Sequence, residues 1–106
     1  MRIAEVLNAL AARSLTRAET AEVFRGIMAG EYAELEIAAV LAALKTRGET
    51  PEEIAGAAGA LRAAALPFPR PDYRYTDTCG TGGDGSGTVN VSTAVAIVAA
   101  EMGIPV

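Results

Sequence analysis

Five glycines fall within eight residues in the last third of the chain, at Gly80, Gly82, Gly83, Gly85 and Gly87. Glycine reaches backbone angles that other residues avoid, so the chain is expected to turn here instead of continuing a helix or a strand. The missing side chains also let a bulky anion approach the peptide amides. Successive amides turned inward form a concave nest for phosphate oxygens. This segment therefore predicts a loop with the means to hold an anion.

The residues around the glycine run predict a strand before it and a helix after it. Tyr73 to Cys79 is expected to form a short strand, although it contains few apolar residues. The helix is expected to begin near Asn90–Ser92 and to end at Met102-Gly103. Val95 to Ala99 is apolar on every side, which is typical of a buried helix. Ile104-Pro105-Val106 is expected to start another strand.

Strand, glycine loop, buried helix and strand are the opening of an α/β unit, which we assign to residues 73–106. A parallel sheet needs several strands that are covered on both faces. One and a half strands cannot bury the helix. We therefore expect the chain to be a fragment, or the remaining sheet to come from elsewhere.

Residues 1–66 predict an all-α helical domain, and residues 67–72 a proline-rich connector with prolines at alternate positions. The first helix is expected to end near Ser14. Capping boxes at Thr16/Glu19 and at Thr50/Glu53 predict the starts of the second and fourth helices. Gly30 and Gly48 are expected to end the second and third. The residues expected to line the fourth helix are Ile54, Ala57, Ala58, Leu61 and Ala65.

The charge and composition argue against several classes of partner. The net charge is −4, and the nine Lys and Arg residues are scattered, so neither nucleic acid nor an anionic membrane surface is expected to bind. The chain contains no histidine, which removes most zinc sites and the usual neutral-pH base. Cys79 is the sole cysteine, so no internal disulfide can form, which fits a cytoplasmic location. We expect Cys79 to be a small buried residue and not a catalytic thiol.

Glycine clusters are common in ordinary turns, and Ser or Thr before a helix is often only a cap. Here the cluster stands between a predicted strand and a capped helix whose first amides face the same place, which favours an anion site. No Gly-Lys-Ser/Thr follows, so it is not a P-loop. The spacing of Gly80, Gly82 and Gly85 matches a dinucleotide fingerprint, but the helix starts too late and no ribose-binding acid is visible.

The run Asp77-Thr78-Cys79-Gly80-Thr81-Gly82-Gly83-Asp84-Gly85, followed by Asn90-Val91-Ser92-Thr93, resembles the anthranilate phosphoribosyltransferase family of tryptophan biosynthesis. Residues 15–19, 30–31 and 45–56 resemble the small helical domain of that family. Pyrimidine nucleoside phosphorylases share the fold, but their loop resembles Ser-Thr-Gly-Gly-Val-Gly-Asp. Gly80 and Asp84 stand where that loop has serine and valine, so the transferase family is the better match.

The resemblance implies an enzyme that moves the phosphoribosyl group of phosphoribosyl diphosphate (PRPP) to the amine of anthranilate and releases diphosphate. It implies Mg²⁺ as the cofactor, with Ser92 as a metal contact, and a homodimer formed through the helical domain. It also implies a Lys-His-Gly-Asn-Arg segment just past Val106 and more distant magnesium-binding carboxylates. We expect no catalytic residue within this chain and no activity from it alone. The substrate-binding residues implied are Gly80, Thr81, Gly82, Gly83, Asp84, Gly85, Thr88, Asn90, Val91, Ser92 and Thr93.

The roles implied within this set differ. The backbone at Gly80, Gly82, Gly83 and Gly85 is expected to contact PRPP, with Gly80 also facing anthranilate. Asp84 is expected to shape the loop or to orient a magnesium-bound water. The side chains of Asn90, Ser92 and Thr93 are expected to hold the diphosphate.

Three alternatives stay open at this point. The first is a pyrimidine nucleoside phosphorylase-like enzyme, which would use free phosphate. The second is a non-catalytic relative that binds nucleic acid, for which a basic surface would be needed. The third is a helical interaction module with a disordered glycine tail.

Overall fold

The structure is a computed structural model that describes residues 1–80, 87 and 89–106. The chain divides into two compact units, Met1–Pro67 (unit 1) and Phe68–Val106 (unit 2). Unit 1 contains four α-helices: α1 (Ile3–Ala12), α2 (Arg17–Met28), α3 (Glu34–Arg47) and α4 (Pro51–Ala64). The described part of unit 2 contains one helix, α5 (Val91–Glu101).

The predicted helix starts in unit 1 are confirmed. At α2, the Thr16 hydroxyl accepts the Glu19 amide at 3.2 Å, and the Glu19 carboxylate accepts the Thr16 amide at 2.8 Å. The same reciprocal pair starts α4, where the Glu53 amide donates to Thr50 at 3.3 Å and the Thr50 amide donates back at 2.8 Å. Each pair satisfies two amides that have no partner inside a helix.

The predicted helix ends are also confirmed. Gly30 and Gly48 follow α2 and α3 with φ angles of 72° and 86°. These left-handed angles suit glycine, which has no Cβ to clash with the preceding turn. Short loops therefore connect the four helices, as the capping signals indicated.

The core of unit 1 forms because α1 packs against α3 and α2 packs against α4. Val6, Val23 and Val40 have no exposed surface. Burying an aliphatic side chain of this size contributes about 1.5–3 kcal/mol, so each of these residues stabilises the bundle. The other buried residues of this cluster are Ile3, Leu10, Leu15 and Leu44.

One charged group lies inside unit 1. Glu53 is 2% exposed, and its carboxylate accepts hydrogen bonds from the amides of Leu15 at 2.9 Å and Thr50 at 2.8 Å. It also forms an ion pair with Arg47 at the end of α3. Burial raises the pKa of Glu53, but the hydrogen bonds from Thr50 and Leu15 and the Arg47 charge outweigh burial and lower it overall. Glu53 therefore ties the α1–α2 loop and the α3–α4 junction together.

The prediction for the packed face of α4 is wrong. Ile54 and Leu61 are 58% and 45% exposed, whereas the buried positions of the helix are Glu53, Gly56 and Ala60. Gly56 and Ala60 are small and let α4 approach α2 closely, and the larger apolar side chains then point away from that contact. Ile54 and Leu61 instead line an open groove of about 340 Å³ between α2, α3 and α4.

The strands predicted in unit 2 are not confirmed. None of the described residues is in a strand, and Tyr73–Cys79 is irregular. A backbone hydrogen bond of 2.9 Å runs from the Thr76 amide to the Pro105 carbonyl. A strand needs a ladder of such bonds along a neighbour, and Pro105 has no amide with which to return one.

The buried environment predicted for α5 is also absent among the described residues. Val91, Val95, Ile97 and Val98 are between 47% and 67% exposed, and no residue of α5 is buried. The end of this helix agrees with the prediction, because Met102 caps it and Gly103 follows with φ of 82°. No helix in the described ranges combines the length and the apolar character that crossing a membrane requires.

Candidate anion-binding site

The segment before the glycine run is shaped by an aspartate. The Asp77 carboxylate accepts the backbone amide of Cys79 at 2.8 Å, a two-residue turn that Asp favours. The Cys79 side chain is exposed, so the expectation that it is buried is wrong. With no strand ladder formed around residues 73–79, nothing in the described part of unit 2 covers it.

Gly80 lies directly against the first turn of α5. A Cβ atom placed on Gly80 would be 2.5 Å from the Ser92 hydroxyl oxygen and 3.7 Å from its Cβ. The first distance is far shorter than a van der Waals contact, so the approach depends on residue 80 having no side chain. Two residues that are twelve positions apart in the sequence are thereby brought to one place.

Asn90 starts α5. Its side-chain oxygen accepts the Thr93 amide at 3.1 Å, and its backbone carbonyl accepts the Ala94 amide at 3.3 Å. The Asn90 side chain is therefore a helix cap, and its NH₂ group is the part that can donate to an anion. The Val91 amide donates to the Val89 carbonyl at 2.7 Å. The amides of Val91 and Thr93 thus have partners at the helix start.

The structure brings Gly80, Asn90, Val91, Ser92 and Thr93 to the N-terminal end of α5 or its immediate surroundings. Ser92 is partly buried, whereas Asn90 and Thr93 are exposed. The hydroxyls of Ser92 and Thr93 and the NH₂ group of Asn90 can donate to an anion. The other predicted site residues, Thr81, Gly82, Gly83, Asp84, Gly85 and Thr88, lie outside the described residues.

The electrostatics of α5 favour an anion at this end. The first turn of α5 carries no acidic side chain. The aligned peptide dipoles of a helix are equivalent to about half a positive charge at its N-terminus, and its first amides point outward. A diphosphate at this end would meet the dipole and neutral hydroxyl and amide donors.

Asp77 is the residue whose role the sequence reasoning missed. It was part of the recognised motif but received no function. An Asp in a loop is a weak signal for such a turn, because Asp side chains often accept the amide two residues further along. The sequence alone does not distinguish this turn from a solvent-exposed carboxylate, since both suit a polar loop.

Comparison with known proteins identifies the family. Residues 3–65 match the glycosyl transferase family helical bundle domain, and residues 72–106 match the a/b domain of the same family. The first match covers more than half of the chain. The chain therefore belongs to this glycosyl transferase family.

Individual relatives are more specific. A Sorangium cellulosum protein named anthranilate phosphoribosyltransferase is 58% identical over 102 residues, which cover 95% of this chain and 29% of the relative. A Vibrio cholerae protein of the same name is 57% identical over 94 residues, or 89% of this chain and 28% of the relative. The Psychromonas ingrahamii protein of that name is 52% identical over 105 residues, or 98% and 31%. The chain thus spans about three tenths of the length of these relatives.

Proposed function

We propose that the protein transfers the phosphoribosyl group of PRPP to the amine of anthranilate, giving N-(5-phosphoribosyl)anthranilate and diphosphate for tryptophan biosynthesis. The observation that carries the proposal is the 58% identity to a protein of that name over 95% of this chain. That similarity extends across both units, including the glycine run and the start of α5. The single cysteine and the membership of a biosynthetic family support a cytoplasmic enzyme.

The first contribution of the chain is to bind and orient the diphosphate of PRPP. Backbone amides of the glycine run and the N-terminal end of α5 would receive the phosphate oxygens, with Ser92, Thr93 and the Asn90 NH₂ group as further donors. Holding the diphosphate aligns the sugar carbon with the incoming amine. Such positioning replaces a costly bimolecular encounter by a reaction within one complex.

The second contribution is to stabilise the departing charge. The bond between the sugar carbon and the diphosphate breaks as the sugar gains oxocarbenium character, and negative charge builds on the leaving group. Donors fixed in advance around that group lower the barrier, because they need no reorganisation when the charge develops. The anthranilate nitrogen then forms the new bond to the same carbon and loses a proton.

Mg²⁺ is part of the proposal. Magnesium prefers oxygen ligands and keeps several waters, so one hydroxyl is an adequate protein contact. The Ser92 hydroxyl fits this requirement, because it is an oxygen donor at the expected anion site and lies against Gly80, which has no side chain to block it. When bound, Mg²⁺ would neutralise part of the diphosphate charge. Among the described residues, no three or more His, Cys, Asp or Glu side chains are grouped so that they could hold a metal ion.

We also propose that unit 1 forms a homodimer contact. On α1 and α3, Leu10, Val40 and Leu44 are buried in the monomer core, and Leu7 packs against it. Leu41 is 46% exposed, and Leu35 on the same helix is 85% exposed. These two side chains support a contact through α3. Sedimentation of the intact protein at several concentrations tests it, and a strictly monomeric protein would contradict it.

The activity is tested by incubating the intact protein with anthranilate, PRPP and Mg²⁺, and by following diphosphate release and the new product by mass spectrometry. We expect equal amounts of the two products. Thymidine with inorganic phosphate serves as the comparison reaction, because a nucleoside phosphorylase of this fold would cleave it. Phosphorolysis of thymidine without any product from anthranilate would refute the assignment.

A further inference from the structure

We propose that Asp77 is a positioning residue that holds Gly80 against Ser92, and so sets the geometry of the diphosphate site. The proposal rests on the proposed function for its kinetic consequences. Its structural part rests on contacts within unit 2 alone. Asp77 is not expected to touch the substrate.

The first step concerns how the short segment from Thr76 to Gly80 is fixed. At one end, the Thr76 amide donates to the Pro105 carbonyl at 2.9 Å, which ties it to the residues after α5. At the other end, Gly80 lies against the Ser92 hydroxyl at the start of α5. The segment therefore runs from beyond the C-terminal end of α5 to its N-terminal end.

The second step concerns what fixes the three residues between these ends. A free segment of this length has many conformations, and fixing them costs conformational entropy. The 2.8 Å hydrogen bond from the Cys79 amide to the Asp77 carboxylate closes a turn directly before Gly80. Because this bond fixes the Cys79 amide on the Asp77 side chain, it selects one of those conformations.

The third step is the consequence for the site. The backbone of Gly80 lies so close to the Ser92 hydroxyl that a Cβ atom on residue 80 would not fit between them. Loosening the turn at Cys79 would let Gly80 move away, which changes the surroundings of the Ser92 hydroxyl. Binding of PRPP should weaken, whereas the chemical step in the filled complex should change little, because remaining ligand contacts restore the geometry.

Three substitutions of Asp77 separate the effect of its side-chain length from the effect of its charge. Asp77→Asn keeps an acceptor oxygen at the same distance from the backbone and removes the charge. Asp77→Glu keeps the charge but extends the chain by one methylene, so the two-residue turn cannot close in the same way. Asp77→Ala removes the acceptor. Asp72→Ala removes a carboxylate from the same unit and is the matched control.

The kinetic test uses the intact protein with PRPP as the varied substrate. Losing one hydrogen bond corresponds to roughly a tenfold effect at most, so Asp77→Ala and Asp77→Glu should raise KM for PRPP by up to about tenfold. The value of kcat should stay within about twofold. Asp77→Asn and Asp72→Ala should behave as the unmodified protein. Equal increases in KM in the Asn and Ala variants would overturn the proposal, since the charge and not the turn would then matter. An unchanged KM in the Ala variant would also overturn it.

Amide hydrogen exchange supplies a readout that does not need activity. The Cys79 amide should exchange faster in Asp77→Ala and Asp77→Glu than in the unmodified protein, and at the original rate in Asp77→Asn. Unchanged exchange in all three variants would overturn the positioning role. If the unmodified protein makes no product from anthranilate, the proposed function is what fails, and the exchange rates still decide the role of Asp77.

Discussion

Two glycines in α4 have opposite roles, which a single pair of substitutions can separate. Gly56 is buried against α2, and a Cβ atom there would clash with the Arg17 carbonyl oxygen and lie 3.0 Å from the Thr20 Cβ and 3.1 Å from the Ala21 amide nitrogen. Gly59 lies three residues further on, and a Cβ atom there would meet nothing within 4 Å. We therefore expect Gly56→Ala to destabilise the protein and Gly59→Ala to stabilise it.

The magnitudes follow from two terms. Replacing glycine by alanine in a helix interior contributes about 1 kcal/mol at either position. At Gly56, overpacking costs about 2–3 kcal/mol, in the upper part of the usual range, because the obstacle is a backbone carbonyl that cannot rotate away. Gly56→Ala should thus lose about 1–2 kcal/mol of unfolding free energy, and the two variants should differ by about 2–3 kcal/mol.

Urea unfolding of the 106-residue chain, followed by the helical circular dichroism signal, measures the difference. The slope of unfolding free energy against urea should stay the same in both variants, because the surface exposed on unfolding is unchanged. Gly59→Ala is the control for helix propensity. If both variants shift the midpoint in the same direction by the same amount, the close approach of α4 to α2 is refuted.

Three further predictions concern single residues. Hydrogen bonds lower the pKa of Glu53 below its ordinary value of 4.5, so the stability it contributes is present above that value and is lost as the pH falls through the lowered pKa. Glu53→Gln should cost about 2–3 kcal/mol at about pH 7 in urea unfolding and should make stability less dependent on acid; an unchanged acid dependence would contradict this. Gly80→Ala should displace the Ser92 hydroxyl and raise KM for PRPP in the intact protein with little change in thermal stability, whereas an unchanged KM would argue against the contact. Asn90→Ala should cost about 1 kcal/mol at the start of α5 and speed exchange of the Thr93 amide, whereas Asn90→Asp should not; equal rates in both would show that the cap is not formed.

The helices of unit 1 could be predicted because their ends are set by neighbouring residues. A capping box such as Thr16 with Glu19 needs only three residues of helix to form, so it is visible in sequence. The packed face of α4 was not visible in the same way. Hydrophobic periodicity assigns Ile54 and Leu61 to the core, but close packing against α2 needs a small residue, and Gly56 meets that need.

The hydrogen bonds of Glu53 show which contacts a local sequence motif predicts and which it does not. The capping box predicted its bond to the Thr50 amide, which is local. Its bond to the Leu15 amide joins residues thirty-eight positions apart, and that partner can be found only once α2 and α4 are packed. A buried carboxylate therefore looked like a surface cap in the sequence, since the residues that bury it are distant along the chain.

The anion site has the same division between local and distant information. The cap of Asn90 on Thr93 is local, and so is the turn of Asp77 on Cys79. The contact of Gly80 with Ser92 is not, although the sequence indicated both residues as site members. Local signals could thus indicate Gly80 and Ser92 as separate candidate residues, whereas the contact between them depends on how unit 2 folds.

The exposed apolar surface of α5 bears on the strength of the proposed site. Val91 and Val95, in the first two turns of α5, are about half exposed, so the N-terminal dipole of the helix lies in a water-rich setting. Helix-dipole and hydrogen-bond energies are screened in water and grow as the local dielectric falls. Covering these side chains would strengthen the attraction of α5 for a diphosphate without adding any charged residue.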